Sequence, residues 1–272
     1  MSANDEMWRN MLEGTDPDLV RLQRMFRRIP KAPRCKLCAA PFGRPGSLFM
    51  GAFGWGRWPA NPTLCRICAR GLDKGKGGAE VQATFLFADI RGSTGLAEHL
   101  RPGEFQALLD RFYLISAEAI DAGGGLLDKY LGDGVVALFT PVFAREGRTP
   151  AAGAVAAGRQ ILERIRAGAS DGRSALPVGV GVHSGLAYIG VMGTEGGHLD
   201  FTGVGDTVNT AARLGSVAEA GELLVSTAAA EAAGLATEGL ERRRLELKGR
   251  EELIDVVVIK VTEPPAAKAH AA

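Results

Sequence analysis

Residues 128–139 read "DKYLGDGVVALF". Two apolar, strand-like runs flank a Gly132-Asp133-Gly134 tip, the pattern of a β-hairpin with its turn on the glycines. An aspartate on such a turn is ordinary. It becomes a chemical group only if a second acid is brought beside it, and the flanking sequence decides that.

The first apolar run upstream is "VQATFLFA" (81–88), which ends at Asp89. Gly92-Ser93-Thr94 follows and opens a helical pattern. "RPGEFQALLDRFYLISAEAIDAGG" places Phe105, Leu108, Leu109, Phe112, Ile115 and Ala119 at helical spacing and stops at glycines 123–125. After the hairpin come an Ala-rich helix, "PAAGAVAAGRQILERIRAG", and "LPVGVGVHSGLAYIGVMG", read as a strand pair turning near Ser184-Gly185. A third helix, "GDTVNTAARLGSVAEAG", has Asp206 as its expected N-cap. "GELLVS" returns as a strand, and "LERRRLELKG" with "ELIDVVVIKV" forms a closing pair. The order is β-α-β-β-α-β with additions. It predicts an α+β fold, a sheet with helices packed on one face.

In that order the first strand lies beside the hairpin, so Asp89 and Asp133 meet at one end of the sheet. Two carboxylates there suit a hard divalent cation such as Mg²⁺ or Mn²⁺. Backbone N–H groups of 90–94, at a helix start, suit phosphate oxygens. Together they point to a nucleoside triphosphate and metal-assisted phosphoryl chemistry.

Composition sets the outer bounds. Of 272 residues 46% are apolar and 23% charged, and the net charge is +1. No run approaches the ~18 apolar residues of a membrane helix. The start, "MSANDEMWRN", lacks the basic and apolar stretches of a secretory signal. A cytoplasmic protein without a membrane segment is expected. The charge is unevenly spread. Residues 1–78 carry 14 Lys/Arg against 6 Asp/Glu, and the remainder 18 against 25. All three tryptophans and all four cysteines lie in the basic part. Three units follow: a basic N-terminal unit over 1–78, joined through a flexible "GLDKGKGG" (71–78); a catalytic unit over 79–262; and a tail over 263–272.

Within the basic unit, "TDPDLVRLQRMFRRIP" reads as a helix capped by Thr15 or Asp16 and ended by Pro30. Cys35-x-x-Cys38 and Cys65-x-x-Cys68 then offer four thiols, 26 residues apart. Each pair grips one side of a tetrahedral ion, so a structural Zn²⁺ site is expected. A redox-active dithiol pair and an iron–sulfur site are the alternatives. Elsewhere the signals are weak. "GVGVHSG" is not a dinucleotide fingerprint, since no helix follows it correctly. His183 reads as a packed strand residue, and no Ser/His/Asp or Cys/His arrangement stands out.

Four segments carry a resemblance. "FLFADIRGST", "DKYLGDGVVALF", "VGVGVHSGLAYIGVMG" and "DFTGVGDTVNTAARL" resemble, in order and spacing, the successive motifs of class III nucleotide cyclases, over about two thirds of the chain (82–262). The resemblance implies a ferredoxin-like α+β fold, in line with the element order, and a head-to-tail homodimer with two interface sites, each drawing metal ligands from one chain and base- and ribose-reading residues from the other. It implies that Asp89, Asp133 and the backbone of Ile90 hold two Mg²⁺ or Mn²⁺ ions. Arg91, Gly92, Ser93 and Thr94 would hold the β- and γ-phosphates, with Lys248 a further triphosphate contact. Lys129, four residues before Asp133, falls where the family reads the purine, and a lysine there matches the adenine-specific members. Thr202 is the second purine-reading position. Most adenylate cyclases of the class carry aspartate there; threonine resembles the subgroup with bicarbonate-responsive members. Asn209 would orient the ribose and Arg213 stabilise charge on the α-phosphate.

The expected activity is therefore adenylate cyclase, ATP to cyclic AMP and pyrophosphate, regulated through the N-terminal unit by a partner the sequence does not name. Two alternatives stand beside it. A guanylate cyclase is disfavoured by Lys129. A nucleotide-sensing module whose basic unit binds a partner protein or nucleic acid follows from the N-terminal charge, though the clustered tryptophans look more like a packing or docking surface, and nucleic acid is not the expected partner.

Overall fold

A computed structural model describes residues 3–29, 33–43, 50, 51, 53–59, 61–74, 77–170, 176–193, 199–247 and 253–261. The chain opens with α1 (Ala3–Leu12), α2 (Pro17–Arg27), a short ribbon of β1 (Arg57–Trp58) and β2 (Asn61–Cys65), and α3 (Arg66–Lys74). The larger part follows: β3 (Gly77–Ile90), α4 (Ser93–His99), α5 (Pro102–Gly123), β4 (Leu126–Leu131), β5 (Gly134–Phe139), α6 (Pro150–Ser170), β6 (Val178–Gly193), β7 (Leu199–Val204), α7 (Asp206–Val217), β8 (Glu222–Ser226), α8 (Thr227–Ala233), β9 (Glu241–Leu245) and β10 (Ile254–Lys260). An eight-stranded sheet runs β4-β5-β3-β6-β8-β10-β9, with β7 paired to β6. Among the described residues only the β6–β8 pairing is parallel. This is the expected α+β fold.

Strand alternation divides the core in two. Leu86, Ala88 and Ile90 of β3 join Val135 and Ala137 of β5 under α5, α6 and α8. The alternate residues, Val81, Ala83 and Phe85, face the other way. There they meet the N-terminal segment, and α7 covers the same face beside Phe87. Helices therefore lie on both faces, not one, because both faces of β3 are apolar.

The N-terminal segment is stitched onto the sheet. Trp8 is 1% exposed and shares a core with Phe26, Leu37, Phe85, Leu138 and Ile189. Val142 N donates to Leu12 O at 3.1 Å. Gln23 Nε2 donates to Leu37 O at 2.6 Å and to Val142 O at 3.3 Å. The expected cap holds: Leu19 N donates to Asp16 Oδ1 at 2.7 Å.

Three expectations are corrected. Most of the expected joint at 71–78 is regular structure: 71–74 finish α3 and 77–78 begin β3, and 75 and 76 lie outside the described residues. Gly77, at φ +141°, sits where a Cβ would meet the Asn4 side chain at 2.6 Å, so glycine there permits close packing of α1. Ser184-Gly185 is not a turn, since β6 runs unbroken from 178 to 193 and pairs with β3 over 178–191. Gly185 instead makes room for the Thr207 hydroxyl, 2.7 Å from where its Cβ would be. Asp206 is the first residue of α7 rather than its cap; Gly205, at φ +129°, holds the cap position.

Candidate functional site

Two acids meet at the end of β3. Asp89 pairs in register with Gly134, and Ile90 N donates to Asp133 O at 3.0 Å. The turn that carries Asp133 is bent at Gly132, φ +63°. The Arg91 guanidinium donates to Asp89 Oδ2 and to the carbonyl of Ser216 on α7. Ser93 Oγ donates to Asp133 Oδ2. Asp89 Oδ1 is buried with no hydrogen-bond partner. Burial pushes the Asp89 carboxyl above its ordinary range; Arg91 pulls it back and Asp133 pushes it further up. A buried carboxylate oxygen without a donor, beside a second acid, is a seat that fits a divalent cation. A cavity of about 180 Å³ opens here, lined by Asp89, Asp133 and Gly134 and by Ala212, Gly215 and Ser216 of α7.

The loop after Asp89 offers less for phosphate than the sequence suggests. Of the N–H groups of 90–94, that of Ile90 is spent on Asp133 O, and that of Arg91 donates to Pro177 O at 2.6 Å. A cradle there rests on Gly92, Ser93 and Thr94.

A second cluster forms where β7 reaches β4. Thr202 Oγ1 donates to Asp128 Oδ2 at 2.6 Å. Lys129 Nζ lies 3.6 Å from Asp128 Oδ1 and 3.9 Å from Asp200 Oδ2. Lys129 and Thr202, 73 positions apart, thus share one polar patch. Their meeting depends on β7 folding close over β3: at Gly203 a Cβ would lie 2.5 Å from the Phe85 ring. Asp128 and Asp200 were not among the residues singled out from sequence. Asp128, as an acid inside a mostly apolar strand, carried only a faint signal; Asp200 carried none.

Asn209 and Arg213 lie four apart on α7 and so share a face. Asn209 is exposed and Arg213 half-buried. Lys248 lies outside the described residues.

The four cysteines converge. Their Sγ atoms all lie within 4.8 Å of one another, and Cys38 Sγ is 3.7 Å from Cys65 Sγ. The edge of a tetrahedron with ~2.3 Å metal–sulfur bonds is ~3.8 Å, and a disulfide would be far shorter. Cys65 N donates to Cys35 Sγ at 3.3 Å and Cys68 N to Cys65 Sγ at 3.4 Å. Contacts among the thiols hold Cys35 and Cys65 below the ordinary thiol range and push Cys38 and Cys68 above it. The set fits a tetrahedral metal ion. Lys36, between the first two cysteines, reaches Asp121 of α5 at 2.8 Å.

The fold and the acid pair define a nucleotide cyclase catalytic domain. The family model for the adenylate and guanylate cyclase catalytic domain matches residues 79–260, and the chain belongs to that family. It is 34% identical over 166 residues to an adenylate cyclase of Anabaena cylindrica, covering 58% of this chain and 32% of that protein. The chain thus spans about a third of that relative's length. Among solved structures it resembles the guanylyl cyclase Cya2 at 29% identity and TM-score 0.60, covering 69% of this chain and 96% of that one. It resembles the adenylyl cyclase CyaB from P. aeruginosa at 26% identity and TM-score 0.58, covering 68% and 97%. No helix among the described residues is long and apolar enough to cross a membrane.

Proposed function

We propose that this chain is an adenylate cyclase that converts ATP to 3′,5′-cyclic AMP and pyrophosphate at two sites shared across a homodimer. The observation that carries the reading is the convergence of Lys129 and Thr202. Lys129 is a donor only, suited to adenine N1, and a threonine hydroxyl can accept from the adenine amino group. The likeness to the Anabaena adenylate cyclase and to CyaB supports the same substrate.

In the proposed reaction the ribose 3′-oxygen attacks the α-phosphorus. Its proton passes to solvent water, the bond from the α-phosphorus to the oxygen bridging to the β-phosphate breaks, and pyrophosphate leaves with that oxygen. Lys129 and Thr202 of the second chain hold the base. Asn209 of the second chain orients the ribose, and its Arg213 neutralises charge that develops on the α-phosphate, where a planar fork suits the oxygens. The 92–94 backbone, Arg91 and Lys248 contact the β- and γ-phosphates. Arg91 leaves Asp89 for the nucleotide as the site fills. Asp89, Asp133 and the Ile90 backbone would hold two Mg²⁺ or Mn²⁺ ions, which lower the hydroxyl's pKa and offset the triphosphate charge when bound. Catalysis is then positioning and electrostatics.

An apolar surface supports the dimer. Tyr188 and Val204 are register partners on β6 and β7, 37% and 46% exposed, with Leu186 nearby at 54%. The Cys35–Cys38–Cys65–Cys68 set would hold structural Zn²⁺ and brace the segment that covers the sheet, where a regulatory partner would act.

The test is incubation of the full chain with ATP or GTP and Mn²⁺, with chromatography of the products. Cyclic AMP from ATP and little cyclic GMP from GTP is expected. Preference for GTP, as the likeness to Cya2 would suggest, overturns the substrate assignment. No product from either nucleotide overturns the enzyme and favours a binding module.

A further inference from the structure

Asp128 is neither a proposed metal ligand nor a proposed nucleotide contact, yet it is the hub of the base-reading cluster. Its side chain is only 5% exposed. In the β4–β5 ladder Leu127 pairs with Ala137 and Lys129 with Val136, so Asp128 is the extra residue of a β-bulge. Bulges re-aim side chains. This one sends the carboxylate to β7, where it takes the Thr202 proton on Oδ2 at 2.6 Å. Its other oxygen faces the Lys129 ammonium at 3.6 Å.

A hydroxyl has one proton and two lone pairs. Once that proton is committed to a carboxylate, which only accepts, Thr202 Oγ1 faces the base as an acceptor alone. Adenine carries an N–H donor at the 6-position; a 6-oxo purine carries an acceptor. Free threonine tolerates both, because it can rotate. We infer that Asp128 is a specificity-determining positioning residue: by fixing the Thr202 hydroxyl as an acceptor, it makes an ambivalent side chain select a 6-amino purine. The Lys129 ammonium, itself a donor only, holds the second carboxylate oxygen and keeps the arrangement in one orientation. This rests on the adenylate cyclase reading above, which the ATP-against-GTP assay tests separately.

Asp128→Asn reverses the lock. Its amide oxygen is held by Lys129, so its NH₂ faces Thr202 and donates to Oγ1, and the hydroxyl proton turns toward the base. The probes are two near-isosteric substrates that keep N1 an acceptor: N6-methyl-ATP, with a 6-position donor, and 6-methoxypurine riboside triphosphate, with an acceptor. For the wild-type chain kcat/KM is expected to favour the first by at least about tenfold, the discrimination an unmatched hydrogen bond imposes. In Asp128→Asn the ratio is expected to fall to within about twofold, through KM rather than kcat. Inhibition constants of the corresponding 3′-deoxy compounds read the same ratios without turnover. Equal use of the two probes by the wild type overturns the acceptor lock. An unchanged ratio in Asp128→Asn removes Asp128 from it. If Asp128→Asn does not fold, Asp128→Ala, which frees the hydroxyl to rotate, is read in the same way; and if neither folds, equal binding of the two 3′-deoxy compounds by the wild type still rejects the proposal.

Discussion

Trp8 of α1 stacks on Phe201 of β7, ring centroids 6.2 Å apart and planes 17° from parallel. Phe201 in turn meets Phe143 edge-on at 6.4 Å. The residue next to Phe201 is Thr202. The N-terminal helix therefore packs against the strand that carries half of the base-reading pair. Trp8→Ala is expected to cost about 3–5 kcal/mol, lowering Tm by roughly 6–20 °C, and to raise KM for ATP more than it lowers kcat. Calorimetry and steady-state kinetics check both. A chain starting at residue 79 is expected to melt lower still, since it uncovers Phe85, Ile189 and Phe201. A truncated domain as stable as the full chain would show that this packing contributes little.

The cysteine cluster predicts one tightly held ion per chain. Strong chelators, or Cys38→Ser, are expected to release it and to lower Tm, because the thiols sit among Leu37, Ala39, Ala40 and Leu64, the buried residues that pack this segment. Metal analysis of the purified protein checks the stoichiometry. The Lys36–Asp121 contact links this centre to α5, so metal loss is expected to loosen amide exchange at the end of α5 as well. Exchange unchanged by chelation would sever that link.

At the acid pair, Asp89→Asn and Asp133→Asn are each expected to lower kcat by at least about a hundredfold while leaving the fold intact. Asp89→Asn is expected to hold or raise Tm, since burial disfavours the charged carboxyl there. Titration with Mn²⁺, followed calorimetrically, is expected to show binding lost in both. Wild-type turnover in either variant would sink the assignment.

Shared sites give a complementation test. Asp89→Ala and Arg213→Ala chains are each expected to be inactive alone. Mixed, they form a heterodimer in which one site has both side chains intact, so partial activity is expected to return, up to about a quarter of the wild-type rate per chain for random pairing. The absence of any rescue, with mixed dimers demonstrated by mass spectrometry, would place the whole site within one chain.

The buried Asp128 predicts a pH dependence of stability. Burial pushes its carboxyl above the ordinary value of 3.8, with Asp200 adding to the rise and Thr202 and Lys129 opposing it. Between the ordinary and the raised value the folded chain keeps a proton that the unfolded chain has released. Stability therefore falls as pH rises through that window and levels off above it. The Tm of the wild type, measured against that of Asp128→Asn, is expected to decline over the same window without nucleotide. A difference flat from pH 4 to 7 would contradict the buried, ionised carboxylate.

Much of this site was legible along the chain. The β3 run ending at Asp89 and the hairpin tip at Asp133 are local patterns, and neighbouring strands in a β-α-β-β order must pair, so their meeting followed. The two Cys-x-x-Cys pairs were legible for the same reason: thiols two residues apart can share an ion whatever lies between the pairs. The α2 cap at Asp16 was a local signal too. Where glycine had two meanings the reading failed. Gly77, Gly78 and Gly185 look like hinges or turns in sequence, yet each serves close approach: of α1, of β6 and of α7.

The sequence by itself determined the element order, the acid pair and the cysteine set, because each is written in spacing or in residue chemistry; the lysine–threonine pair came only from the resemblance of its motifs. Only the tertiary structure decided that α1 and the cysteine-bearing segment close the second face of the sheet, that β7 folds over Phe85 to bring Thr202 to β4, and that a bulge turns Asp128 between Thr202 and Lys129. Those relations join residues that are distant in the chain. They depend on which face of a strand is left apolar and on how closely backbones approach at a glycine, and neither is fixed until the chain has packed.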